Sequence, residues 1–77
     1  MTEVLFPPLS KEEPDSQGVL STWFVRDGDR VEADQLLAEV QVDKVAAEVL
    51  APAAGVVHRL VEEEGVVRQG APIATIT

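Results

Sequence analysis

Ala38-Glu39-Val40-Gln41-Val42-Asp43-Lys44-Val45-Ala46-Ala47-Glu48-Val49 reads nearly the same outward in both directions from the pair Asp43-Lys44. Apolar residues at 38, 40 and 42 are answered by apolar residues at 45, 47 and 49. Period-two alternation is what a β-strand with one buried face requires. A two-residue turn at Asp43-Lys44 therefore predicts a hairpin with Val42 opposite Val45, Val40 opposite Ala47 and Ala38 opposite Val49. A slip of one residue would turn the apolar set outward, so the core face dictates the register. Asp-Lys is an acceptable turn, but it is not the Asn-Gly or Asp-Gly that favours a primed hairpin turn. The same register sets Glu39 against Glu48, an unfavourable pair unless both are solvated. On this pattern alone, Lys44 is either an ordinary solvated lysine or one displayed at a hairpin tip.

Outward from the hairpin lies an internal repeat. Gly18-Val19-Leu20 recurs as Gly55-Val56-Val57, and Gly28 recurs as Gly65, both at an offset of 37 residues. One residue is then lost, so that Val31, Leu37 and Val40 match Val67, Ile73 and Ile76 at an offset of 36. Two copies are too few for a stacked array, which must bury its faces repeat upon repeat. They suit two interlocked half-domains related by a pseudo-two-fold, with Lys44 in the hairpin that joins them. Leu20, Val31, Leu37, Val40, Val49, Leu60, Ile73 and Ile76 are the expected shared core.

Several short apolar runs punctuated by Gly and Pro point to an all-β fold, a sandwich or flattened barrel. Strands are expected at Val4–Phe6, from Val19 to Val25, briefly at Val31, from Leu36 into the hairpin, from Val56 to Val61, at Val66-Val67 and from Ile73 to Thr77. Arg26-Asp27-Gly28-Asp29 and Glu62-Glu63-Glu64-Gly65 read as turns. Leu9 to Gln17 is polar and acidic, the longest irregular segment. Trp23 and Phe24 are adjacent and so face opposite sides of a strand, one inward and one outward.

With 77 residues the chain is expected to form one domain, residues 1–77, with a modest core and no deep catalytic cleft. No cysteine is present, which removes disulfides, thiolate metal sites and cysteine catalysis. Fourteen acidic against six basic residues give a net charge of −8 and oppose binding to nucleic acid or an anionic membrane surface. No apolar run approaches the roughly 18 residues of a membrane span, and no signal peptide is evident, so a cytoplasmic setting is expected. His58, assigned to the strand position of Ser21, is the sole histidine and reads as a surface residue, since nothing of its kind can complete a metal or catalytic site. Ser10, Ser16 and Ser21 form no recognisable triad with it. Glu62-Glu63-Glu64 lacks the alternating spacing of a calcium loop and reads as a solvated turn. No catalytic and no metal-ligating residue is therefore expected.

Gly28-Asp29-Arg30-Val31-Glu32, Leu36-Leu37-Ala38-Glu39-Val40, Asp43-Lys44-Val45, Ala51-Pro52 and Gly55-Val56-Val57, with Trp23 midway between Gly18 and Gly28, closely resemble the lipoyl domain of 2-oxo acid dehydrogenase complexes, in the biotinyl/lipoyl attachment family. The resemblance implies a flattened barrel of two four-stranded antiparallel sheets, with lipoic acid in amide linkage to Lys44 at the hairpin tip. It implies a carrier and not a catalyst, in an acyltransferase component. Its partners would be a lipoate ligase or lipoyl transferase, a thiamine-dependent decarboxylase, an acyltransferase core and a dihydrolipoyl dehydrogenase. Biotin carriers of the family flank the lysine with methionines, whereas here Asp43 and Val45 flank it, as in lipoyl domains. Asp43 is implied as a recognition carboxylate, a role compatible with stabilising the turn. Two features depart from the pattern. The Leu9–Gly18 segment is longer than the usual loop, which in this family lies near the lysine and helps select the dehydrogenase, and Val42 stands where Thr or Ser is common. A biotin carboxyl carrier and an unmodified interaction module binding through Ser10–Gln17 are the alternatives.

Overall fold

A computed structural model describes residues 1–9 and 16–77. Eight strands follow in order: β1 (Thr2–Leu5), β2 (Gln17–Trp23), β3 (Arg30–Val31), β4 (Leu36–Val42), β5 (Val45–Leu50), β6 (Gly55–Arg59), β7 (Val66–Arg68) and β8 (Pro72–Ile76). They form two four-stranded antiparallel sheets, ordered β1-β8-β6-β3 and β5-β4-β2-β7. Moving four strands along the chain converts one order into the other, which is the pseudo-two-fold expected from the repeat. Each sheet has a central pair from one half of the chain, flanked by strands from the other half. The halves interlock.

Between the sheets lies one apolar core. Phe6, Leu20, Leu37, Val40, Val57 and Ile73 are fully buried within it. Of the eight expected core residues, seven are buried and Leu60 is not; it is 56% exposed. Faces alternate along β6 from the buried Val57, which turns Leu60 outward, and its counterpart in the first half shows where the repeat loses a residue. β2 bulges between Leu20 and Thr22 in its pairing with β4, whereas β6 pairs with β8 without interruption. The extra residue is thus Ser21, inside the strand, not after Gly28 as the sequence suggested. Hydrogen bonds agree: Asp29 N donates to Arg26 O at 3.0 Å, and Gly65 N to Glu62 O at 2.9 Å, so Gly28 corresponds to Glu64, and both have positive φ. With the offset at 36 beyond the bulge, Leu60 corresponds to Phe24, which is 51% exposed. Their backbones agree, since Phe24 N reaches Leu37 O and Leu60 N reaches Ile73 O. A one-residue error in alignment turned one side chain to the wrong face. His58 is likewise the counterpart of Thr22 and not of Ser21.

The repeated glycines share one task. A Cβ on Gly55 would lie 2.6 Å from Thr77 O and 2.8 Å from Ile76 Cγ2; one on Gly18 would lie 2.9 Å from Gln41 O and 2.8 Å from Val42 Cγ2, besides striking the Phe6 ring. Both let a strand close on its neighbour nearer than any side chain allows. Of the adjacent pair Trp23 and Phe24, Trp23 is the inward one, and its Nε1 donates to Val61 O at 2.9 Å.

Candidate functional site

β4 and β5 form the expected hairpin, with Val42 opposite Val45, Val40 opposite Ala47, Glu39 opposite Glu48 and Ala38 opposite Val49. The register shifts by one residue only at its far end, between Leu36 and Ala38. The turn is the pair Asp43-Lys44. Asp43 alone of the two has positive φ, +55°, so this is not the type I′ turn, which needs positive φ at both central residues. Aspartate enters the left-handed region more readily than most residues, which gives Asp43 a conformational reason to precede Lys44. The Gln41 Nε2 donates to the Asp43 carbonyl at 3.1 Å and ties the turn to its own strand. Lys44 is exposed.

Beneath the turn is a firm seat. Val42, the last inward residue of β4, packs where Gly18 of β2 leaves room, and the buried Phe6 ring occupies the same space. Phe6 is itself held by backbone bonds from its N to Ala71 O and from Gly70 N to its O. Neither Phe6 nor Gly18 stood out in the sequence as part of the site; Gly18 was marked there only by its recurrence as Gly55. Val45 departs from the reading of an inward apolar set running to the tip, because it is 50% exposed. It lies on β5, the outer strand of its sheet, and has a strand neighbour on one side only. The second arm turns inward from Ala47, which is half-buried, to Val49, which is buried.

Most of the segment expected to help recognition, Ser10–Gln17, falls outside the described residues. Its ends are placed. Leu9 packs against the core, the Ser16 carbonyl accepts a hydrogen bond from Gln69 Nε2 at 3.0 Å, and Gln17 opens β2 one residue before Gly18. The chain thus re-enters the sheet directly beneath the lysine turn.

The remaining polar groups serve the scaffold. His58 is exposed, its Nε2 2.9 Å from Thr77 Oγ1. Asp27, Arg59, Leu60, Val61 and Glu62 line an open groove of about 280 Å³. There the Asp27 carboxylate accepts from Arg59 N at 2.8 Å, and the Arg59 guanidinium sits 5.4 Å from the Trp23 ring centroid. Among the described residues no three His, Asp or Glu side chains are grouped to hold a metal ion, and no helix is long and apolar enough to cross a membrane. What the hairpin offers chemically is a single exposed primary amine on a short, anchored turn.

Residues 2–76 match the family named Biotin_lipoyl and described as biotin-requiring enzyme. Among curated proteins, the chain is 45% identical over 51 residues to the dihydrolipoyllysine-residue acetyltransferase component of the pyruvate dehydrogenase complex of Staphylococcus aureus. It is 41% identical over 51 residues to the component of the same name in Staphylococcus epidermidis. Each match covers 66% of this chain and 12% of the relative's length.

Proposed function

Because the chain belongs to the biotinyl/lipoyl attachment family, we propose that it is a lipoyl carrier whose prosthetic group is joined by an amide to Lys44. The observation that carries this reading is the exposed Lys44 amine on the two-residue turn between β4 and β5, flanked by Asp43 and Val45 instead of methionines. An amide to this amine needs access for a modifying enzyme, and both the exposure of Lys44 and the position of β5 at the sheet edge provide it. Attachment removes the lysine's positive charge. When bound, a lipoyl group supplies a cyclic disulfide able to take up an acyl group and two electrons.

The chain's own contribution is presentation. Val42, Phe6 and Gly18 hold the turn still, and Asp43 takes the left-handed conformation that projects Lys44 outward. A group tethered at one rigid point meets successive active sites at high local concentration, which replaces repeated diffusional encounters. The successive partners we propose are a thiamine-dependent 2-oxo acid decarboxylase, an acyltransferase core and a dihydrolipoyl dehydrogenase, with a lipoate ligase or transferase installing the group. Asp43 serves these partners as a recognition carboxylate while it shapes the turn.

The test is modification. Co-expression with a lipoate ligase and lipoate, followed by intact-mass measurement and peptide mapping, should show one lipoyl increment, carried by the peptide containing Lys44. A biotin increment under matched conditions with a biotin ligase would replace the cofactor, and a lipoyl increment on Lys11 would overturn the site.

A further inference from the structure

Along the outer face of the lysine-bearing sheet, one cross-strand row lies next to the hairpin tip: Ala46 opposite Gln41, Gln41 opposite Val19, and Val19 opposite Val66. All four are exposed, with Val19 at 38% and Val66 at 64%. Valine pairs of this kind are usual on a sheet face turned to a core, and this face is turned to solvent. The next outward row carries Glu39 and Glu48, so the apolar stripe is bounded by acid on the side away from the turn. Gln41, the polar member of the stripe, holds its amide nitrogen against the Asp43 carbonyl at 3.1 Å, which fixes its side chain along the strand toward the turn.

Resting on the reading of Lys44 as a lipoyl-lysine, we propose that this stripe is a seat on which the hydrocarbon part of the arm lies when no partner holds it. Reach permits it. Three residues of strand are about 10 Å, and two strand spacings about 10 Å across, so Val19 and Val66 lie roughly 11–14 Å from the turn. An extended lysine side chain with an eight-carbon acyl amide is of the same length, about 14 Å at ordinary bond lengths. Chemistry selects the arm over other occupants. It is neutral once the amide is formed, is hydrocarbon on both sides of that amide, and is tethered beside the stripe. The high effective concentration of a tethered group lets a shallow surface bind it where a free ligand would not stay. A seat of this kind keeps the disulfide close to protein between transfers and competes weakly with partner active sites.

The experiment compares amide and methyl NMR spectra of the unmodified and lipoylated chain, after intact mass has established the modification. The proposal expects shifts at Val19, Gln41, Ala46 and Val66 in addition to residues 43–45, with cross-relaxation between arm methylenes and the Val19 and Val66 methyls. Val19→Thr with Val66→Thr keeps β-branched residues in both strands and should abolish the remote shifts while leaving lipoylation intact. Shifts confined to residues 43–45 would overturn the seat and leave the carrier reading standing. Perturbation of the same four residues in the unmodified chain as concentration rises would assign the stripe to contact between copies, which also overturns it. A chain that takes no lipoyl group on Lys44 overturns both readings.

Discussion

At Asp43 one residue holds two roles that substitution can separate. Its positive φ makes the turn, and its carboxylate is the proposed recognition group. Asn tolerates the left-handed region and Ala does not, at a difference of about 1–2 kcal/mol. Asp43→Asn should therefore leave the melting temperature nearly unchanged while slowing reductive acylation of the lipoylated domain, and Asp43→Ala should lower both. If Asp43→Asn is acylated at the wild-type rate, the carboxylate takes no part in recognition and the residue's role is the turn conformation alone. Lys44→Arg should retain the fold, because an exposed tip carries little packing energy, and should abolish modification by intact mass. Gly18→Ala makes the opposite case: its Cβ would collide with Phe6 and Val42, so a loss of about 1–3 kcal/mol is expected in denaturant unfolding. An unchanged unfolding midpoint would show that the seat beneath the turn yields without cost.

Elements in this chain are specified by faces, and Leu60 shows how narrowly. Leu37 and its counterpart Ile73 are fully buried, whereas Leu60 extends from the end of β6 into solvent beside an equally exposed counterpart, Phe24. Leu37→Ala and Ile73→Ala should each cost on the order of 2–5 kcal/mol, and Leu60→Ala within about 0.5 kcal/mol. Urea unfolding of the three variants side by side checks the pattern; a Leu60 cost equal to that of Leu37 would restore it to the core. The hairpin register was legible because apolar alternation and turn position agreed on it from both arms. The Ser21 bulge was not, since an extra residue in a strand leaves no mark in composition and is settled by pairing with β4.

For the molecule as a whole, the decisive feature is that each sheet borrows its outer strands from the other half of the chain. β2 and β4 of the first half are flanked by β5 and β7, while β1 and β3 are paired with β8 and β6. Backbone bonds cross between halves as well, from Leu20 N to Gly65 O and from Val57 N to Asp29 O. Residues 1–42 alone would keep one strand pair and lose the partners of every other strand, so that fragment should be unfolded by amide dispersion in NMR. A well-dispersed spectrum from it would refute the interlocked core. A small domain has only a few kcal/mol to lose, and removing half its sheet partners exceeds that.

Strand alternation, the hairpin register, the lysine at its tip and the existence of two related halves are written in the order of the residues. These are local, or repeat visibly, and each follows from which residues must share a face. The rest arises only when distant strands pack together. The seat formed by Phe6, Val42 and Gly18 joins residues far apart in the chain, so no local pattern could announce it. The exposure of Val45 follows from its place at the tip end of an outer strand, since Val49 further along β5 is buried, and strand order is set by which pairings the whole core can satisfy together. The outward turn of Leu60 follows from unbroken alternation along β6 from the buried Val57, whereas the bulge formed where β2 meets β4 exchanges the faces of the first half, so that Phe24 and not Trp23 comes to match Leu60.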